Sequence, residues 1–148
     1  CEVAKADAKK ALSIGGGPDV FTALGAMYSG CGDLNSSVKF SRMALELTPN
    51  DNGWLITNNL VSALYRLERY DEIKDLVEDN IEAEDMLPSI LGVYATVVSK
   101  DGNRKKAKFF LERAKLQGLN QKRIKGWFKK PTDAEKLIAD LTKIGPFD

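Results

Sequence analysis

The residues that could do chemistry are few. The 148-residue chain has no histidine and only two cysteines, Cys1 and Cys31. Without imidazole, the Ser-His-Asp and Cys-His nucleophile systems, His-ligated zinc and a histidine general base are excluded. Two thiols cannot build a four-thiolate metal site or a disulfide framework. Cys31, between Gly30 and Gly32, has no clear basic neighbour to lower its pKa and reads as an inert thiol. Carboxylates crowd residues 68–85, nine acidic against two basic. In principle they could form an acid–base pair or hold calcium. No twelve-residue calcium-loop spacing is present, however, and Ile73, Leu76, Val77 and Ile81 recur on the other face of the same helix. The stretch reads as a solvated helix face. Gly15-Gly16-Gly17 lacks the Lys-Ser/Thr of a phosphate loop and reads as a linker. No catalytic motif, metal or cofactor is expected.

Recognition is the better prospect, and two surfaces offer it. Residues 100–130 hold twelve basic and two acidic residues, and Lys122, Arg123, Lys125, Lys129 and Lys130 surround Trp127 and Phe128. Cations interleaved with aromatics suit nucleic acid, through phosphates and base stacking. Three other readings stand beside it. The aromatics are buried capping residues, the cations face an acidic protein partner or the acidic 68–85 stretch of a neighbouring copy, or they are simply solvated. The second surface is polar and centres on Asn58-Asn59. A carboxamide pairs with both the donor and the acceptor of a peptide unit.

The elements that position these groups are helical. No segment alternates apolar and polar residues as a strand would. Breaks fall at Gly15-Gly16-Gly17-Pro18, Gly30-Cys31-Gly32-Asp33, Pro49-Asn50-Asp51-Asn52-Gly53 and Asp101-Gly102-Asn103. They delimit helices over roughly 2–13, 18–30, 34–47, 54–67, 70–83, 87–99, 103–117, 120–129 and 133–144. Asn120 is expected to cap the eighth, Pro131 to end it, and Thr132-Asp133-Ala134-Glu135 to form a capping box for the ninth. That last helix places Leu137, Ile138, Leu141 and Ile144 on one face. The formal charge of +1 conceals 0 over 1–67, −7 over 68–86, +10 over 100–130 and −2 over 131–148. No run of apolar residues is long enough to span a bilayer.

The breaks recur with a period. Residues 18–49 carry Phe21, Leu24-Gly25, Tyr28, Ala44 and Pro49, and residues 88–119 carry Leu91, Tyr94-Ala95, Val98, Ala107, Leu111 and Ala114. This pattern resembles the tetratricopeptide repeat, whose period is about 34 residues. A weaker copy, with Leu60, Leu64 and Leu67, lies between them. The resemblance implies an all-α, right-handed α-solenoid in a single domain. It divides into a half-repeat helix at 2–13, repeats at 18–53, 54–87 (degenerate) and 88–119, and capping helices at 120–148. Small residues stand where the helices of the first and third copies cross, Gly25 with Ser37 and Ala95 with Ala107. The second copy has the branched Val61 and Ile73 there, which predicts a splayed pair.

In that family the first helix of each repeat lines a concave groove that binds peptides. The resemblance therefore implies a non-catalytic scaffold or adaptor. Its groove is expected to hold Thr22, Asn58, Asn59, Ser62, Tyr65, Arg66, Thr96 and Lys100, with Ala26, Ser29 and Ser89 nearby. Asn59 matches the position where family members hold a peptide backbone by its amide. Thr22, Ala26, Ser89 and Val93 replace the cations and asparagine of the family's carboxylate clamp, so that clamp is not expected. The alternative function is a nucleic-acid-binding or charge-driven self-assembly module using the basic 104–130 surface. Low cysteine use suits the cytoplasm. The alternatives are a lipoprotein anchored through Cys1 or the soluble part of a larger protein.

Overall fold

The computed structural model describes residues 1–51 and 54–148. Asn52 and Gly53, the end of the expected turn over 49–53, lie outside the described residues. The described residues form α-helices and no strand. The helices are α1 (Glu2–Ile14), α2 (Pro18–Cys31), α3 (Leu34–Leu47), α4 (Leu55–Arg66), α5 (Tyr70–Glu78), α6 (Pro88–Lys100), α7 (Arg104–Leu116), α8 (Gln121–Trp127) and α9 (Pro131–Ile144). The chain divides into two compact units, Cys1–Leu67 and Glu68–Asp148. The division falls inside residues 54–87, which the sequence assigns to one repeat.

In the first unit, α2 and α3 form a hairpin through a two-residue turn. Gly32 takes the left-handed conformation (φ 80°), and its N–H and that of Asp33 donate to the carbonyls of Ser29 and Tyr28. The Asp33 carboxylate then caps α3, accepting from the Ser36 N–H at 3.1 Å. The two helices cross at Gly25. The Ser37 hydroxyl donates to the Gly25 carbonyl at 2.8 Å, and a Cβ on Gly25 would lie 2.5 Å from Ser41 Oγ. Phe21, Leu24, Phe40, Ala44 and Ile56 form the core, joined by Ala8 from α1. Ala8 is the one buried residue of α1, which is also held covalently by a disulfide between Cys1 and Cys31. Cys31 is thus not the free inert thiol expected from its neighbours. The state of Cys31 is decided not by its chain neighbours but by the other thiol, 30 residues away in sequence. The start of α4 is capped by Asp51, whose carboxylate accepts from the N–H groups of Ile56 and Thr57.

In the second unit, α6 and α7 form the corresponding hairpin. Gly102 (φ 85°) and Asn103 donate to the carbonyls of Ser99 and Val98, and the Asn103 side chain caps α7 at the Lys106 N–H. Ala95 and Ala107 are both fully buried. The helix α9 packs on α6, α7 and α8 through Leu137, Leu141 and Ile144, covering their apolar faces.

Two expected ends are corrected. The helix predicted over 70–83 stops at Glu78. Its continuation is rich in carboxylates, which oppose the negative end of the helix dipole, and the Arg113 guanidinium from α7 takes the carbonyls of Ile81 and Ala83 at 3.1 and 2.7 Å. The capping box at 132–135 does not form. Pro131 opens α9 as its first residue, where its missing N–H costs nothing, and Lys130 stands at the N-cap without a side-chain bond.

Candidate functional site

The polar strip of the first unit is carried by α2 and α4, which contact each other. The Arg66 guanidinium donates to the Ser29 carbonyl at 3.3 Å and to its hydroxyl at 3.1 Å, tying the end of α4 to α2. Thr22 is part-exposed and gives its hydroxyl proton to the Pro18 carbonyl at 2.7 Å. Asn58 and Asn59 are part-exposed. The Asn59 carboxamide makes no hydrogen bond among the described residues, so its donor and acceptor are both uncommitted. Two members of the expected set in this unit are placed differently. Tyr65 is fully buried and Ser62 is 7% exposed. Every residue from Leu60 to Tyr65 is buried, so α4 is enclosed all round over that stretch and has no polar face there.

The second unit holds Thr96 and Lys100. Thr96 is 1% exposed and its hydroxyl donates to the Val93 carbonyl. All residues from Ile90 to Val98 are buried, leaving only the ends of α6 near solvent. Lys100 is exposed, pairs with Asp140 at 3.4 Å and lies over the Tyr70 ring at 5.3 Å. Lys136 lies over the same ring and bonds Glu68 at 2.7 Å and the Tyr70 hydroxyl at 3.2 Å. The bond and charge of Lys136 hold the Glu68 carboxyl below its ordinary value. Burial pulls the Lys136 ammonium down, but its bonds to Glu68 and Tyr70 outweigh that and leave it raised.

Part of the opposed charge noted in the sequence is spent inside this unit. Lys74 pairs with Asp101 at 2.9 Å and Lys106 with Glu78 at 3.4 Å, while Arg113 holds the acidic turn after α5. The Tyr94 hydroxyl donates to Glu78 at 2.8 Å. That bond, helped by Lys106, lowers the Glu78 carboxyl, and burial raises the Tyr94 phenol. These are structural contacts, and among the described residues no cluster of three metal-ligating side chains occurs.

Other cations are left over. Arg104, Lys105, Lys108, Lys122, Lys125, Lys129 and Lys130 are exposed and make no ion pair among the described residues. The Asn120 side chain caps α8 at the Arg123 N–H, as its sequence position predicts. Phe128 is 6% exposed, and Trp127 is part-exposed with its ring 4.8 Å from that of Phe128. Beside them, a cleft of about 370 Å³ is lined by Leu87, Pro88, Ser89, Leu119, Arg123, Ile124, Gly126 and Trp127. Sequence reasoning named Trp127 and the cations but missed the cleft. Its walls come from segments some 30 residues apart, and only Trp127 between cations signalled it.

The chain matches no family model, and no curated protein and no solved structure is found to be similar to it. No helix among the described residues is long and apolar enough to cross a membrane.

Proposed function

We propose that this protein is a non-catalytic interaction module of tetratricopeptide-like helical hairpins, stacked as a right-handed solenoid, that binds a peptide or protein segment. The observation that carries the reading is the Asn59 carboxamide, part-exposed and without a hydrogen bond among the described residues, on the helix whose Arg66 contacts Ser29 of α2. A part-buried amide with both functions available meets an extended peptide backbone with little reordering of the protein. Asn58, Asn59, Arg66 and Thr22 are the contacts in this reading, and the buried Tyr65 and Ser62 belong to the packing of α4, which presents three of them. The test is selection of binders from a displayed random-peptide library, followed by calorimetry. Asn58→Ala with Asn59→Ala is expected to weaken a selected peptide at least tenfold with the melting point unchanged. Unchanged affinity rejects the strip.

A second reading rests on the exposed cations of 104–130 that make no ion pair among the described residues: a nucleic-acid-binding or charge-driven assembly surface. Nucleic-acid binding predicts steep salt dependence for a labelled oligonucleotide, and no binding at low salt removes that form of it. For location, the Cys1–Cys31 bridge favours a compartment that keeps disulfides over the cytoplasm suggested by low cysteine use. The sulfur of Cys1 has one valence to spend, so the bridged form and a lipid thioether exclude each other.

A further inference from the structure

We propose that the cleft between the start of α6 and α8 seats one bulky apolar side chain of an acidic segment on a partner protein, whose flanking carboxylates meet the cations of α8. The inference deepens the basic-surface reading and does not depend on the α2–α4 strip. Leu87, Pro88, Leu119, Ile124 and Trp127 give the cleft apolar walls, and its 370 Å³ leaves room for an aromatic or leucine side chain with adjoining backbone. The α8 side of the cleft has one sign of charge, while exposed Glu84 and Asp85 precede the opposite wall at Leu87. No acidic residue occurs between Glu112 and Asp133, while Lys122, Arg123, Lys125, Lys129 and Lys130 do. Arg123 is the fixed member of this group: it lines the cleft, and its Nη1 donates to the Gln117 carbonyl at 3.3 Å. Its remaining N–H donors make no bond among the described residues and suit a carboxylate.

Two other occupants fit less well. A nucleic acid needs an open aromatic platform, but the Trp127 ring packs on Phe128 and forms a wall of the cleft. The acidic turn of a second copy keeps Glu82, Glu84 and Asp85 exposed, but Arg113 holds its backbone at the carbonyls of Ile81 and Ala83 and Met86 is only 1% exposed, so Met86 is not presented to a cleft.

Gly126 makes a clean test, because it lines the cleft and a Cβ there meets nothing within 4 Å, so a larger side chain can be placed at the cleft without a clash. The full chain is titrated with a fluorescein-labelled peptide bearing one phenylalanine between pairs of aspartates, with its phenylalanine-to-serine counterpart, and with oligothymidylate. The phenylalanine peptide is expected to bind at least tenfold tighter than the serine peptide. Gly126→Leu should lose at least tenfold and Gly126→Ala less than twofold, while Lys122→Glu with Lys125→Glu should lose at least tenfold. If both peptides bind alike, or Gly126→Leu leaves binding unchanged, the cleft is rejected while the basic-surface reading stands. Failure of both peptides and the oligonucleotide to bind rejects both. Oligothymidylate binding tighter than the phenylalanine peptide, with the same loss in Gly126→Leu, overturns the choice of partner. Should Gly126→Leu fail to fold, the comparison of the two peptides decides.

Discussion

The α2–α3 and α6–α7 hairpins turn in the same way and hold together differently. Each ends its first helix on a left-handed glycine, Gly32 or Gly102, and opens its second with a side-chain cap, Asp33 or Asn103. At the crossing they diverge. The first brings backbones together, with Ser37 bonded to the Gly25 carbonyl and no room for a Cβ on Gly25. The second packs alanine on alanine and adds the Tyr94–Glu78–Lys106 contact at the side. Around the first, a disulfide secures α1, which has one buried residue. Around the second, α9 does the covering with an apolar face. A shared turn therefore fixes the hairpin, while the means of closing it is interchangeable, covalent in one unit and by packing and charge in the other.

That contrast can be broken at several points. The largest effect is expected from Cys1→Ser or Cys31→Ser. Loop closure over 30 residues contributes about 3.5 kcal/mol, so α1 should lose amide-exchange protection while α6 and α7 keep theirs. Next comes Gly25→Val, which should cost about 3 kcal/mol in a denaturant titration through overpacking at the crossing. Tyr94→Phe removes one bond to a charged group and should cost about 1 kcal/mol, read from the urea midpoint. The smallest effect concerns pH. Glu78 and Glu68 both have folded pKa values below the ordinary 4.5. Their contribution is therefore complete above that value and disappears as pH falls through the lower folded values. Acid should weaken α5–α7 protection before that of α2–α3, and Lys136→Met, which releases Glu68, should blunt the difference.

Much of this was legible in the sequence because it is local. Glycine followed by Asp or Asn set the turns, and 3.6-residue periodicity placed the helices to within a residue or two at most ends. The misses are all long-range. The end of α5 depends on Arg113, some 30 residues further on, and the Cys1–Cys31 bridge on a pairing that no neighbour of either cysteine announces. Pro131 is compatible with ending a helix or starting one, and the packing of α9 decided for the second. Tyr65 and Thr96 project onto the expected polar face of their helices, yet both helices are enclosed along those stretches. Helical projection shows which residues share a face and does not show whether that face is open. Asn59 is an expectation of the resemblance alone, and the cleft beside Trp127 is visible only in three dimensions.

The central claim is that the accessible polar strip of α2 and α4 is where a peptide is held. Amide hydrogen exchange of the full chain, with and without a library-selected peptide at saturation, tests it most directly. The account predicts added protection along α2 and α4, centred on the amides near Asn58 and Asn59, and its loss in the Asn58→Ala, Asn59→Ala variant. Protection that leaves α2 and α4 unchanged while the peptide is bound would contradict it.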